Sequence, residues 1–394
     1  MATSAFPLPA AVFPAMKFST DETVAFIQCR DRLVNATMVA RREFRDRCNG
    51  KLNEAVWKVV KRKQDADFAV FTPRRRAMIP KPSNSRTCSP ILIAAGSIKG
   101  SLNDVMLGFS SATTDAMAFA TPHLYKDVLD ARVVATLQCP SEAEPFEYLG
   151  FKWMAKGPST FAMKNFVRPR DFVYLESTGI QHDNGDGTKV GYVMIHSVAL
   201  GGCRSLRSEF GIVRGALSFC YLFSESTTTP GSVDVFCKGF LDPRGHGGVT
   251  EHMTLASAAE GIMACLKAPK CARMKKYEWI RKNRLQGDDS NAVESTSQSQ
   301  GLSNEDGRCS VCHAETDIAS REQTAHCCRD CACIVELVNP LQVAKDEAGH
   351  TLETLRRSST TTPFGMKLTS VADRIHLTPL KKRTATVPAP IFSL

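Results

Sequence analysis

Four cysteines carry the strongest chemical signal in the sequence. They form two Cys-x-x-Cys pairs, Cys309 with Cys312 and Cys328 with Cys331, separated by 15 residues. A tight turn can direct both thiolates of a pair toward one ion, and two pairs complete a tetrahedral zinc site. Because all four ligands are protein sulfurs, no position stays open for a substrate water. The spacing therefore predicts one structural zinc ion.

Other ligand types in the same segment leave the exact ligand set open. His313, His326, Cys327 and Cys333 all lie close to the two pairs. A segment this short cannot build a sufficient hydrophobic core without a crosslink such as a bound metal ion, which favours metal binding. The alternative is a set of free thiols in a segment that has lost its metal.

The basic run 321–331 resembles the R(R/K)HHCRxCG motif of FYVE-type fingers. His326 matches the first motif histidine, Cys328 and Cys331 match the third and fourth ligands, and Arg329 matches the arginine between them. The second histidine, the third cysteine pair and the upstream Trp-x-x-Asp element are missing. The segment thus resembles a finger reduced to its first half. The resemblance implies a phosphoinositide or anion site at His326 and Arg329.

The elements that position these groups predict an α+β fold. Apolar spacing and a capping sequence predict a helix from Ser19 or Thr20 to about Lys63, whose Arg41–Arg47 run would be a solvated face. GSLNDVMLGF at 100–109 predicts a short helix. Runs rich in β-branched and aromatic residues predict seven strands, at 91–98, 132–139, 146–156, 171–178, 190–200, 216–224 and 232–240.

A second long helix is predicted over 250–268. Leu255, Ala258, Ile262 and Leu266 recur at spacings of three and four and therefore share one face. Pro269 should kink or end this helix, and a basic continuation runs to position 284. An antiparallel sheet with one apolar face must bury that face against another element, and we expect this helix to pack there.

Composition divides the chain into five segments. They are a Pro-rich segment at 1–18, the α+β domain at 19–284, a Ser/Gln-rich linker at 285–305, the Cys-rich module at 306–340 and a mostly disordered basic tail at 341–394, which includes a short helix near 341–356.

Three runs in the α+β domain, at 96–109, 146–153 and especially 167–180, carry a second resemblance. They resemble the START-like domain that precedes FYVE-type fingers in a family expanded in oomycetes. The resemblance implies a helix-grip fold, in which a curved antiparallel sheet surrounds a long C-terminal helix and leaves an apolar tunnel for a lipid. Candidate tunnel residues are Trp153, Leu255, Ile262 and Leu266, with plain core packing as the competing interpretation.

Nearby charged residues allow two interpretations. Arg168, Arg170, Asp171 and Glu176 form a charge cluster near the strand predicted at 171–178. They could include a buried polar anchor for a ligand. We favour an ion-pair network at a strand end, because close opposite charges also arise for structural reasons.

Composition and missing motifs restrict the function classes. The chain has 394 residues and a net charge of +10, which suits anionic surfaces. No stretch approaches the roughly 18 apolar residues that span a bilayer. The N-terminus does not resemble a signal peptide, so we expect an intracellular protein, cytoplasmic or on the periphery of endomembranes. G-x-S-x-G, P-loop and H-E-x-x-H motifs are missing, which predicts a non-enzymatic protein.

Three functional hypotheses follow. The first is an intracellular protein that binds a lipid or other hydrophobic molecule, with the half finger assisting contact with an anionic membrane or a protein partner. The second is a protein-interaction adaptor with a filled START-like fold and a structural zinc module. The third is nucleic-acid binding by the basic 270–284 helix and the basic Lys381-Lys382-Arg383 run in the tail. It is disfavoured because only Tyr277 and Trp279 offer aromatic surface for base stacking.

Overall fold

The computed structural model describes residues 6–63, 67–74, 91–158, 167–244, 250–288, 309 and 327–360. Its helices are α1 (Thr20–Cys48), α2 (Leu102–Phe109), α3 (Thr114–Leu124), α4 (Arg207–Phe210), α5 (Glu251–Ile262), α6 (Ala268–Asp288), α7 (Arg329–Leu337) and α8 (Pro340–Thr360). Its strands are β1 (Trp57–Lys63), β2 (Phe68–Pro73), β3 (Ile91–Lys99), β4 (Val128–Gln138), β5 (Tyr148–Lys156), β6 (Arg170–His182), β7 (Lys189–Ser197), β8 (Val213–Arg214), β9 (Ala216–Glu225) and β10 (Ser232–Asp242).

One ten-stranded sheet organises these elements, and it confirms the predicted α+β class. The strand order is β1-β2-β3-β10-β9-β7-β6-β5-β4, and every neighbouring pair along this path is antiparallel. The two-residue strand β8 lies off the path and pairs in parallel with β6. All seven predicted strands are present within a few residues of their predicted limits.

Helix α1 is shorter than the sequence predicts. Its N-terminus is the predicted capping box, in which Ser19 and Glu22 satisfy each other's backbone N–H groups. The helix ends at Cys48, because Asn49 and Gly50 both adopt positive φ, at 48° and 69°. The prediction of helix as far as Lys63 was wrong, because apolar residues near Val59 belong to strand β1 instead.

The basic face of α1 is solvated as predicted only toward its end, at positions 45–47. Arg41 Nη1 and Arg42 Nη1 lie 3.6 and 2.7 Å from the carboxylate of Asp183, whose side chain is fully buried. Arg45 Nη1 lies 2.7 Å from Asp186 in the same β6–β7 turn. These arginines therefore fasten the helix to the turn between two central strands.

The predicted C-terminal helix is present in two parts. A 3-10 segment, Met263–Lys267, separates α5 from α6. Pro269 lies in the first turn of α6, where its missing N–H costs nothing. Ala258 and Ile262 pack in the same core cluster as Leu217 and Val235 of the sheet, so the helix covers the sheet as expected.

The sheet has two covered faces, which we call inner and outer. The inner face carries the core cluster shared with α2, α5 and α6. The outer face packs against α1 through Phe151, Leu175 and Leu222, and against the N-terminal segment through Trp153. Period-two alternation along each strand assigns every side chain to one face or the other.

The chain beyond the cysteine segment returns to the core. Helix α8 is longer than the short helix predicted near 341–356, and Val343 and Ala344 are buried in the main cluster. Lys275 Nζ lies 2.8 Å from Glu347, and the Trp279 indole N–H donates to Asp346 at 2.7 Å. Residues 340–360 are therefore packed on α6. No helix among the described residues is long and apolar enough to cross a bilayer.

Candidate functional site: an apolar cavity and a cysteine cluster

A cavity of about 630 Å³ lies between the inner face of the sheet and helix α5. Its volume falls within the range of roughly 300–1,000 Å³ that is typical of small-molecule sites. Most of its wall is apolar, formed by Met154, Phe172, Ile195, Leu217, Phe219, Leu241 and Ala258. A space of this size and character can hold a hydrophobic molecule.

Strand β6 supplies one whole side of the cavity because alternate residues share a face. Arg170, Phe172, Tyr174 and Glu176 all line it. At roughly 3.3 Å per residue, the distance from the first to the last of them is about 20 Å. The cavity wall along β6 is thus elongated, with a charged residue at each end and aromatic rings between.

Helix α5 forms the opposite wall with small side chains. Thr254, Ala258 and Gly261 lie on one face of the helix and line the cavity. A Cβ atom added at Gly261 would meet no atom within 4 Å, so space remains beside the helix. The small residues therefore leave room for a ligand at this wall.

A buried ion pair between Lys152 and Glu176 lies at one end of the cavity. Lys152 is 1% exposed, and its Nζ also donates to Ser111 Oγ at 2.8 Å. Burial lowers the pKa of Lys152, while the neighbouring Glu176 carboxylate opposes this effect. Sequence reasoning missed Lys152, although a charge flanked by Phe151 and Trp153 in one strand was a usable signal.

Two tyrosines add uncharged polar groups to the lining. Tyr125 and Tyr174 both face the cavity, and burial raises the pKa of each phenol. Within the described part of the chain, neither hydroxyl has a hydrogen-bond partner. Each is therefore a neutral donor and acceptor that a ligand can engage.

The residues predicted to line a tunnel lie elsewhere. Trp153 points to the outer face, where it is fully buried and its indole N–H donates to Asp171 at 2.9 Å. Its assignment to the cavity is corrected by strand parity, since Lys152 and Met154 occupy the inner face. Leu255, Ile262 and Leu266 pack against the main core and lie outside the cavity lining.

The predicted charge network along β6 is divided between the two faces. Arg170 and Glu176 belong to the inner face, at opposite ends of the cavity wall. Asp171 belongs to the outer face and accepts from Arg214 Nε at 2.9 Å as well as from Trp153. The four residues therefore do not form one cluster, because a strand directs neighbours to opposite sides.

The cysteine segment brings three of the predicted zinc ligands together. The sulfurs of Cys309, Cys328 and Cys331 all lie within 4.8 Å of one another, and two of these residues are buried. The backbone N–H of Cys328 donates to Cys309 Sγ at 3.3 Å, and that of Cys331 donates to Cys328 Sγ at 3.4 Å. The fourth predicted ligand, Cys312, lies outside the described residues.

The other candidate ligands are separated from this cluster. Cys327 is buried, and its thiol donates to the Tyr277 hydroxyl of α6 at 3.2 Å. Cys333 is exposed. Arg329 is exposed at the start of α7, and its predicted anion-site partner His326 lies outside the described residues.

No family model and no curated protein matches the sequence. Solved structures that match include human STARD10, with 13% identity, a TM-score of 0.39, and coverage of 62% of this chain and 84% of that one.

Two further matches are of the same kind. Human StAR-related lipid transfer protein 5 has 14% identity and a TM-score of 0.36 over 61% of this chain and 98% of that one. The human StarD13 (DLC2) lipid transfer and protein localization domain has 12% identity and a TM-score of 0.35 over 58% and 93%. The basis for a functional proposal is therefore the cavity itself.

Proposed function

We propose that the protein binds a hydrophobic small molecule of the lipid class in the cavity between the sheet and α5. The observation that carries this proposal is the cavity of about 630 Å³, apolar over most of its wall and furnished with a few polar groups. Ligand sites commonly combine these two properties, because apolar walls supply affinity and polar groups fix orientation.

The size of the cavity favours ligand binding over a protein-interaction adaptor with a filled fold. Protein interiors are packed like organic crystals and leave few voids larger than a water molecule. A filled fold would close the space beside Gly261 with side chains. Catalysis has no support from the groups described here, and a non-enzymatic role stays a prediction.

The test is to fill the cavity from the helix side. In Gly261→Phe, the new ring enters the open space and should abolish binding of a fluorescent fatty acid in a titration. Gly349→Phe is the matched control, because Gly349 is also helical, also has open space at its Cβ, and is exposed on α8 away from the cavity.

Two outcomes of this experiment are decisive. Loss of binding only in Gly261→Phe supports the proposal, and native mass spectrometry should then find a co-purified apolar ligand in the parent protein and in Gly349→Phe but not in Gly261→Phe. If no lipid class binds the parent protein, or if both variants bind it equally well, the cavity is not a ligand site.

We also propose that Cys309, Cys328 and Cys331 hold a structural zinc ion with Cys312 as the fourth ligand. The support is the convergence of three sulfurs, with backbone N–H groups directed at two of them. When bound, zinc would crosslink the cysteine segment and supply no reaction. Cys327 and Cys333 are not needed, because one is engaged with Tyr277 and the other is exposed.

Metal analysis of the purified protein tests the zinc site. About one zinc per chain is expected, and Cys331→Ser and Cys312→Ser should each lose it. Cys333→Ser is the control that should retain it. A parent protein purified with zinc present but containing none contradicts the site, and a Cys312→Ser variant with full zinc content would assign the fourth ligand elsewhere.

A further inference from the structure

Among the charged side chains that line the cavity, cations outnumber anions. Five are cationic and three anionic, namely Lys61, Lys126, Lys156, Arg168 and Arg170 against Asp127, Glu176 and Glu260. Two of the carboxylates are already neutralised, since Glu176 pairs with Lys152 and Glu260 pairs with Lys61. Among the described lining residues, Asp127 is the one carboxylate left without an ion pair, beside four cations.

Two of these cations are direct neighbours on the inner face. Lys156 and Arg170 are paired residues in the β5–β6 register. Side chains directly opposite each other in an antiparallel pair have Cβ atoms about 4.5–5.5 Å apart, and like charges at such positions are destabilising. An anion placed between the two side chains would turn this repulsion into attraction.

Arg170 has unused hydrogen-bonding capacity. It is 8% exposed, and it donates through Nη1 to the Arg168 carbonyl at 2.6 Å and through Nε to the Pro243 carbonyl at 3.4 Å. Its Nη2 is buried and has no acceptor, and no described carboxylate forms an ion pair with the guanidinium. A buried donor left unsatisfied is costly, so such a group points to an acceptor that comes from outside the chain.

We propose that the ligand is an amphipathic lipid with an anionic headgroup, a carboxylate or a phosphate, held between Lys156 and Arg170. The apolar tail extends along β6, past Phe172 and toward Tyr174. This inference rests on the proposed lipid-binding function and adds the chemistry of the headgroup. Arginine and lysine donate charge-assisted hydrogen bonds to both kinds of oxyanion.

The test compares ligands that share a tail and differ in charge. Hexadecanoate is compared with hexadecanol, and lysophosphatidate with the monoacylglycerol of the same chain. The parent protein should bind the anionic member of a pair more tightly by about tenfold to a hundredfold, the range expected for hydrogen bonds to a charged group. The pair with the larger preference distinguishes a carboxylate from a phosphate headgroup.

Substitutions then test which residues cause the preference for the anionic lipid. Lys156→Gln/Arg170→Gln should lose the preference for the anion and keep the parent affinity for the neutral lipid, which also shows that the cavity is intact. Lys189→Gln/Arg207→Gln removes the same charges from exposed positions outside the lining and should bind like the parent protein. Arg170→Lys keeps the charge and should retain part of the preference, which guards against a folding defect.

The outcomes separate this inference from the proposed function. Equal binding of charged and neutral lipids by the parent protein overturns the anionic headgroup and leaves lipid binding intact. A preference that survives in Lys156→Gln/Arg170→Gln moves the headgroup site elsewhere and overturns the assignment. If neither member of any pair binds, the lipid-binding function fails, and this inference fails with it.

Discussion

The two faces of the sheet are built from the same strands and differ in how completely they are filled. On the outer face, Phe151, Trp153 and Leu175 are fully buried against α1 and the N-terminal segment. On the inner face, Met154 and Phe172 from the same two strands border an open cavity. Alternation along a strand thus lets one face supply stability while the other keeps space for a ligand.

The first prediction compares an aromatic residue on each face. Trp153→Ala should destabilise the protein by about 5 kcal/mol, at the upper end for large aromatic deletions, because the ring is fully buried and Asp171 loses a donor. Phe219→Ala on the inner face should cost less, since its ring already borders empty space. Urea unfolding curves of both variants check this order.

Leu129→Ala is the control for that measurement, because Leu129 is an exposed residue on β4 and should change stability little. Equal losses of stability in Trp153→Ala and Phe219→Ala would contradict the difference between the faces.

The second prediction concerns the charged pair on the inner face. Lys152→Met should destabilise the protein by about 3 kcal/mol, because it leaves the Glu176 carboxylate buried without a partner. The value is at the lower end for such losses, since Glu176 borders the cavity and can be reached by water there. Replacing both residues, in Lys152→Met/Glu176→Leu, should recover most of the lost stability in the same unfolding assay.

If Lys152→Met/Glu176→Leu is as unstable as Lys152→Met, the loss of stability does not come only from the unpaired Glu176 carboxylate. The result would then assign Ser111, the second partner of Lys152, a larger share of the stability.

The third and smallest effect is a pH dependence on the outer face. Burial lowers the pKa of His196, whose Nδ1 lies 3.0 Å from Ser218 Oγ. As the pH falls below about 6.5, the unfolded chain takes up a proton at this residue before the folded protein does, so stability declines with acidification. Denaturation curves from about pH 7 to about pH 5 should show a shallower decline for His196→Gln than for the parent protein.

Local patterns predicted the strands well and failed where tertiary context decides. The seven predicted strands are rich in β-branched and aromatic residues, and each is found. Helix α3 was not predicted, because Pro122 lies inside it and three of its apolar residues are alanines, which give little contrast between the two faces. The end of α1 was missed because apolar spacing continues past Asn49, although Asn-Gly was a usable stop signal.

The two candidate sites differ in how far the sequence could predict them. Cysteine ligands can be recognised because each pair lies within one turn of chain, and three of the four sulfurs do converge. The residues that line the cavity could not be recognised from the sequence. Alternation along a strand shows which residues share a face, but it does not show which face is left unfilled. Trp153 was assigned to the cavity as an apolar strand residue, whereas its neighbours Lys152 and Met154 occupy the inner face.

Helix α6 links the cysteine segment to the rest of the folded chain. Its residues contact the cysteine segment through Tyr277 and helix α8 through Lys275, while Val343 and Ala344 of α8 are buried in the main core cluster. The cysteine segment is therefore an insertion between two packed helices. Ions and ligands that bind only the folded state raise its apparent stability by mass action. Zinc and lipid, bound at separate sites, would accordingly each raise the melting temperature of the same cooperative unit.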